Sequence, residues 1–170
     1  MDQRYKKDFY TRDVLSVAPD LVGSFLVRRF EDNRVVKGII TEVEAYRGIE
    51  DLASHASKGR TKRTEIMFAN GGYAYIYLIY GIHWMLNIVT GAEDNPQAVL
   101  VRGVNGFYGP GRLTRHLRID SSFYGEDLCV SNRLWIEKRK TRPSIKTGPR
   151  IGIDYAGEYW AGVPWRFWID

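Results

Sequence analysis

The amino-acid sequence predicts an α+β fold in one domain. The chain has 170 residues, which is enough for one domain with a substantial core. Several short segments rich in β-branched and aromatic residues are separated by Asn, Asp and Gly turn signals, a pattern typical of strands. No internal repeat, low-complexity linker or change of composition divides the chain, so one domain over residues 1–170 is the simplest interpretation.

The first half of the chain is expected to begin with helical turns and to continue into a β-hairpin. Pro19 near the start and Gly23 at the end mark the second helical turn, and Asp32 with Asn33 marks the turn of the hairpin. The predicted elements are two short helical turns, two strands, and a short helix or structured loop, at residues 8–15, 18–23, 24–30, 35–46 and 48–57.

The second half is predicted to add further strands and one basic helix. Asn70, Gly71 and Gly72 form a turn signal before the next strand, and Gly109 with Pro110 begins the helix. The predicted strands and the helix lie at residues 73–79, 84–90, 97–102 and 109–118, and short strands and loops follow, including 128–130, 134–137 and 150–153.

The basic residues are clustered rather than evenly spread. The net charge is +5 and the sequence pI is about 9.3, with clusters at residues 58–63, 112–118 and 138–142. Basic patches interleaved with aromatic residues suit a nucleic acid, because they neutralise phosphates and stack on bases. Solvated, flexible loops are the alternative for each cluster. An anionic membrane surface fits less well, because no cluster lies on an amphipathic helix with a broad apolar face.

The cysteine and histidine content excludes several kinds of cofactor site. The chain has one cysteine, Cys129, and three histidines, His55, His83 and His116, too few for an iron–sulfur cluster or a Cys-rich zinc site. We therefore expect no cofactor and no metal. The charged start has no apolar run behind it, and no stretch approaches the ~18 apolar residues of a spanning helix. The sequence predicts a soluble intracellular protein, in the cytoplasm or nucleoid if prokaryotic, without membrane binding.

Two carboxylates on one predicted strand are the leading candidates for chemistry. Strand alternation places Glu42, Glu44 and Tyr46 on one face, where carboxylates are rare unless they are hydrogen-bonded or needed for a reaction. Glu44 lies where a general base could activate water. A structural salt bridge is the open alternative for Glu44, and Glu42 is either its supporting partner or a surface residue.

Other polar and aromatic residues are candidates for a binding pocket. Tyr77 lies on a predicted strand, whereas Tyr80 lies beyond the strand at a turn. From the turn, the Tyr80 side chain could enter a DNA duplex as a wedge. Core packing is the alternative for each tyrosine. His55 could contact a ligand or be a satisfied structural residue. Asn87 and Arg102 lie in otherwise apolar predicted strands, and buried polar side chains require partners.

Taken together, an ordered set of motifs resembles the alkyladenine (3-methyladenine) DNA glycosylase family. Each motif alone is weak, but the set runs over nearly the whole chain in order and is highly specific. The matching segments are EVEAYRG at 42–48, ASH at 53–55, GRTKR at 59–63, MF at 67–68, YIYLIYGIH at 75–83, Asn87, GPGRL at 109–113, RIGI at 150–153, Ala156, Glu158 and PWRF at 164–167.

The resemblance implies a fold and a set of residue roles. The fold would be a curved, mostly antiparallel sheet with surrounding short helices and a protruding β-hairpin, similar to a formyltransferase C-terminal domain. Glu44 would be the general base, with Arg102 helping to hold its water, and Tyr80 would fill the gap left in the duplex. The remaining implied roles are a base pocket of Tyr46, His55, Tyr77 and Asn87, and DNA contacts from Arg60, Thr61, Lys62, Arg63 and Arg112.

The resemblance implies a monofunctional glycosylase that flips damaged purines out of double-stranded DNA and hydrolyses the N-glycosidic bond as a monomer, without a metal. Two features differ from the family. Only residues 103–108 separate Arg102 from Gly109, where the family has a longer, partly helical and charged segment. Val43 replaces a residue that is more often polar, and alternation points it away from the pocket. The alternatives are a non-catalytic nucleic-acid-binding module on the same fold and a small-molecule nucleoside hydrolase.

Overall fold

The computed structural model describes residues 3–170, and its central feature is a nine-stranded sheet. The strands are β1 Phe25–Arg29, β2 Val35–Arg47, β3 Ala74–Ile79, β4 His83–Thr90, β5 Gln97–Val104, β6 Phe107–Tyr108, β7 Leu134–Glu137, β8 Lys146–Gly148 and β9 Arg166–Trp168. The main order is β3-β4-β5-β2-β1-β7, with β6 on β5, and with β9 between β2 and β8. Every pairing of these strands is antiparallel, as the resemblance implies.

The helices are short and lie around the sheet. They are α1 Lys7–Tyr10, α2 Val14–Leu21, α3 Pro110–His116 and α4 Glu158–Gly162, together with 3-10 helices at His55–Lys58, Glu65–Phe68, Ser121–Phe123 and Asp154–Ala156. The α+β prediction is confirmed. Among residues 3–170, no helix has the length and apolar character needed to cross a membrane.

Two predicted boundaries are wrong for identifiable reasons. Helix α2 begins at Val14 instead of at Ala18, because the Asp13 side chain accepts a hydrogen bond from the Leu15 amide and caps the helix four residues earlier than expected. The predicted strand at residues 97–102 continues to Val104 and forms a hairpin with β6 around Asn105 and Gly106. An Asn-Gly pair is a strong hairpin signal, and here it forms the two-residue turn between β5 and β6.

Strand β2 is the element that positions the candidate site. Its register against β5 shifts on both sides of Glu42: Thr41 is an extra residue on β2 before Glu42, which makes a β-bulge, and Arg102 is an extra residue on β5 opposite the step from Glu42 to Val43. Gly103 lies opposite the bulge, where an added Cβ would come within 2.7 Å of the Thr41 hydroxyl oxygen. A bulge bends its strand and re-aims the side chains that follow it. The three residues after the bulge therefore alternate cleanly, with Val43 in the hydrophobic core and Glu42 and Glu44 on the other face.

The basic cluster at residues 138–142 lies at the far edge of the sheet, beyond β7. The Arg139 guanidinium donates hydrogen bonds to the carbonyl oxygens of Pro19 (3.2 Å) and Val22, and pairs with Asp20 at 3.1 Å. Arg142 lies 3.8 Å from the same Asp20 carboxylate. This cluster therefore ties the end of α2 to the sheet edge and takes no part in the candidate site.

Candidate active site

Glu44 is a fully buried carboxylate with partners on both oxygens. Its Oε1 accepts a hydrogen bond from Arg102 Nη1 at 3.0 Å, and the Tyr46 hydroxyl is 3.5 Å from the same oxygen. Its Oε2 accepts from the Ile151 amide at 2.7 Å. The side chain has no exposed surface. Strand β2 thus carries a charge into the interior, where each of its contacts matters more than it would in water.

Burial and partners act on the Glu44 carboxyl in opposite directions. Desolvation raises the pKa of Glu44 above its ordinary 4.5, whereas the positive charges of Arg102 and Arg150 and the hydrogen bond from the Ile151 amide lower it. The net pKa is raised. A carboxylate with a raised pKa is a stronger proton acceptor, which is the property that a general base near neutral pH requires.

Arg102 is shared between two carboxylates. Its Nε lies 3.3 Å from Glu42 Oε1, while its Nη1 bonds Glu44. Arg166 reaches the same Glu42 oxygen at 3.2 Å. Glu42 thus pairs with the arginine that bonds Glu44, and its own side chain stays partly exposed, at 26%. Arg102 keeps 16% of its side chain exposed, in contrast to the sealed Glu44.

A small pocket is bordered by Tyr46, whose hydroxyl is 3.5 Å from Glu44 Oε1. Its volume is about 40 Å³, and it is lined by Tyr46, Ala53, Ser54, His55, Met67, Tyr75, Tyr77, Asn87, Ala98 and Tyr155. The structure therefore brings together the four residues predicted for a base pocket, from β2, β3, β4 and the 3-10 helix that begins at His55. Asn87 is buried, and its side-chain amide donates to the Tyr75 carbonyl oxygen at 3.2 Å.

His55 is held in the pocket wall as a neutral ring. Ser54 caps the 3-10 helix by accepting from the Ala56 amide, which fixes the backbone at His55. The His55 Nδ1 lies 2.9 Å from the Tyr75 hydroxyl, and its ring meets the Tyr77 ring edge-on at 4.5 Å. Burial, with smaller contributions from Arg63 and Lys58, lowers the pKa of His55 from 6.5 to about 4. The imidazole is uncharged at neutral pH.

A wide groove of about 730 Å³ opens in front of the pocket. Tyr80 stands on its rim at the tip of the β3–β4 hairpin, with 85% of its surface exposed. Tyr80 (φ 53°) and Gly81 (φ 67°) are the central residues of the turn, which the Ile82 amide closes by donating to the Ile79 carbonyl oxygen. The turn predicted from sequence thus projects an aromatic ring away from the sheet.

The structure separates the basic residues predicted to contact DNA. Arg63 and Arg112 line the groove, and Thr61 lines a smaller hollow beside the pocket. Lys62 is exposed but lines neither space. Arg60 pairs with the carboxylates of Glu65, at 3.1 Å, and Asp94, and its guanidinium lies over Phe68. Of the four residues predicted from 60–63, Arg60 is therefore already engaged with two acids.

Sequence reasoning missed several residues that complete the site. The chain segment 149–155 supplies the Ile151 amide to Glu44 and the Tyr155 ring to the pocket. Arg150 precedes Ile151 and forms two hydrogen bonds to Asp51, at 2.6 and 2.9 Å, and both side chains are fully buried. Only the RIGI segment pointed to this region. The contacts of this segment with Glu44, Asp51 and Ala53 join residues about a hundred positions apart, and a single sequence carries no local signal for such contacts.

Among residues 3–170, no group of three or more His, Cys, Asp and Glu side chains is placed to hold a metal ion. The site contains the buried Glu44 carboxylate, whose pKa is raised, and the Arg102 guanidinium that pairs with it. Beside them lie a pocket lined by tyrosine rings and the neutral His55, and a basic groove with the Tyr80 ring at its rim. Such a set can activate water next to a planar, electron-poor group that stacks on tyrosines.

Comparison with known proteins gives a consistent result. A family model described as methylpurine-DNA glycosylase matches residues 8–108 and 105–170. A protein from Desulfitobacterium hafniense named "Putative 3-methyladenine DNA glycosylase" is 41% identical over 196 aligned positions, covering 99% of this chain and 96% of its own. Proteins of the same name from Methanocella arvoryzae and Legionella pneumophila are 42% and 43% identical, covering 95% and 98% of this chain and 90% and 94% of their own.

Proposed function

The chain belongs to the methylpurine-DNA glycosylase family, and from this premise we propose that it hydrolyses the N-glycosidic bond of alkylated or otherwise damaged purines in double-stranded DNA. One observation carries the proposal. Glu44 is fully buried, and its three hydrogen-bonding partners line the two spaces: Tyr46 lines the pocket, and Arg102 and Ile151 line the groove.

We propose a chemical step in which Glu44 is the general base. A water next to the Glu44 carboxylate attacks the anomeric carbon of the flipped nucleotide and gives its proton to Glu44. The bond between that carbon and the base nitrogen breaks, and its electron pair leaves with the base. The products are the free base and an abasic site. Arg102 holds the carboxylate in place and steadies its charge at 3.0 Å while the proton moves.

The tyrosines of the pocket suit an alkylated purine. Alkylation at a ring nitrogen gives the base a positive charge, which makes it a good leaving group. The same charge is attracted by the electron-rich faces of Tyr46 and Tyr77. The neutral His55 ring adds no opposing charge. We propose that Asn87 crowds the 2-amino group of undamaged guanine at the buried end of this pocket, so that guanine is disfavoured.

Flipping requires something to occupy the vacated stack, and Tyr80 is the side chain that we propose for it. If the ring fills the gap, Tyr80→Ala should weaken the extrahelical state by the ~1–3 kcal/mol of a lost base–aromatic stack. The fluorescence of a 2-aminopurine beside the lesion reports flipping directly. The defect should shrink opposite a mismatch, where unpairing is already cheaper. An unaltered flipping equilibrium would mean that another side chain acts as the wedge.

The decisive test is excision from duplexes that carry one defined lesion, followed by alkaline cleavage of abasic sites. We expect Glu44→Gln to keep binding to damaged DNA and to lose ~10²–10⁴-fold in the single-turnover rate, because it removes the proton acceptor at nearly constant shape. Glu42→Gln is the matched control, since Glu42 also pairs with Arg102 but, unlike Glu44, has no hydrogen bond to Tyr46 or to the Ile151 amide. Equal, small losses in both variants would favour a non-catalytic nucleic-acid-binding module.

The site is made from one chain, because Glu44, the pocket and the groove all use residues of this protein. We propose that the enzyme acts as a monomer inside the cell, where its DNA substrate lies. Phosphate contacts from Arg63 and Arg112 should make DNA binding strongly salt-dependent.

A further inference from the structure

The pocket is narrow and shares part of its lining with the groove. Its volume is about 40 Å³. A water needs ~10–15 Å³ measured in the same way, so the pocket holds roughly three waters. A flipped base would enter this space from the groove, past the three rings that line both spaces, those of His55, Tyr77 and Tyr155.

Tyr155 is the wall that can move at the lowest cost. Other lining residues are locked in the interior, such as Met67, Tyr75 and Asn87 at 2–3% exposure, whereas Tyr155 is 70% exposed. A single hydrogen bond fixes its ring, from the Tyr155 hydroxyl to the Ala53 carbonyl oxygen at 2.9 Å. Its neighbour Ala156 is buried and anchors the backbone. The ring can swing into solvent without unpacking the core.

Tyr155 also separates the pocket from its surroundings. Both His55 and Tyr155 line the pocket, the groove, and a third hollow of about 310 Å³ beside them. Leu52, Lys58 and Thr61 also line that hollow. Of the two side chains that border all three spaces, Tyr155 is the more exposed. Its ring is therefore part of the wall that encloses anything held in the pocket.

We propose that Tyr155 is the movable wall of the pocket and that it sets the size of the base that the pocket accepts. The ring swings out to admit the base and closes against it. The inference rests on the proposed function. When the ring leaves, the Ala53 carbonyl loses its donor, and the incoming base or a water must replace it, because an unpaired buried carbonyl is costly.

The first test compares two lesions of different size, hypoxanthine and 1,N6-ethenoadenine, each placed singly in the same duplex. Tyr155→Ala removes the wall. We expect the ratio of single-turnover excision rates, ethenoadenine over hypoxanthine, to rise by ~10-fold or more, within the range of size discrimination by apolar pockets. Tyr159→Ala is the matched control, an equally exposed tyrosine that packs on Trp160 and does not line the pocket.

The second test separates the ring from its hydrogen bond. Tyr155→Phe keeps the ring and removes the hydroxyl that holds it on Ala53. We expect the size ratio to stay at the wild-type value, because the wall is still present. The flipping equilibrium, read from 2-aminopurine beside the lesion, should rise by ~2–10-fold, since one neutral hydrogen bond no longer opposes opening. Thermal unfolding of each variant confirms that it is folded.

The outcomes distinguish this inference from the proposed function. A wild-type protein that excises neither of these lesions nor 3-methyladenine overturns both. An active wild type whose size ratio is the same in Tyr155→Ala and Tyr159→Ala overturns the inference alone. A flipping equilibrium unchanged by Tyr155→Phe overturns the moving wall and leaves a fixed one.

Discussion

Two buried Arg–carboxylate pairs lie close together in this protein and are built in different ways. Around Asp51, both oxygens bond Arg150, and the amides of Arg47 and Ala53 donate to the same carboxylate. Both side chains are fully buried. Around Glu44, Arg102 makes one hydrogen bond to the carboxylate and is partly exposed. Arg102 also forms an ion pair with a second carboxylate, that of Glu42.

The difference shows what each pair can do. The Asp51 carboxylate has all its contacts supplied by fixed groups, and Arg150 also donates to the carbonyl oxygens of Ala45 and Trp160. This pair therefore fastens the loop before His55 to the segment that supplies the Ile151 amide. Burial raises the pKa of Glu44, and the partners of Glu44 offset that effect only in part. The Asp51 pair thus has a saturated carboxylate and holds two segments of the site together, and the chemical role that we propose belongs to the less compensated Glu44.

Asp51→Asn tests the structural half of this comparison and should have the largest effect. Removing one partner leaves the Arg150 charge buried and unpaired, which commonly costs ~3–5 kcal/mol. We expect a loss of that order in the free energy of unfolding, measured by urea denaturation. Asp170→Asn is the control, because it breaks an exposed pair with Lys146. If the two variants were equally stable, Asp51 would not have the fastening role that its contacts indicate.

Arg102→Gln tests the catalytic half through the pH profile. The base must be ionised to accept a proton, so excision falls as the pH drops through the pKa of Glu44. Arg102 lowers that pKa, and its loss should move the acidic limb of the single-turnover rate to higher pH by ~1 unit or more. Arg150, which also lowers this pKa, remains in place. Arg102→Lys keeps the charge and should keep most of the profile. Superimposable profiles for the Gln variant would contradict the assignment.

The smallest expected effect is confined to one side chain, the ionisation of His55. Its pKa of about 4, against an ordinary 6.5, means that the ring stays neutral until the solution is strongly acidic. An NMR titration of the histidine side chains should show one ring that does not protonate between pH 7 and about pH 5, and His55→Asn should remove that resonance. A midpoint near 6.5 would place a positive charge in the pocket and weaken the preference for cationic purines.

The parts predicted from sequence are those with a local pattern. Alternation along β2 correctly placed Glu42, Glu44 and Val43, and the turn after β3 correctly exposed Tyr80. Tyr155 left no such signal, because its role depends on a short 3-10 helix docking against Ala53, far away in the chain. Charge clustering likewise could not show that Asp94 engages Arg60.

The turn at Asn105 and Gly106 has a consequence for the evolution of chain length. The family model matches in two segments that overlap at residues 105–108, and the alignment with the Desulfitobacterium protein has 196 positions for this chain of 170 residues. An added Cβ at Gly106 would have no neighbour within 4 Å. Doubling a loop adds only ~0.6 kcal/mol of closure entropy. Segments of different length can thus be exchanged here while β5 keeps Arg102 in register, which makes this hairpin a natural point for grafting.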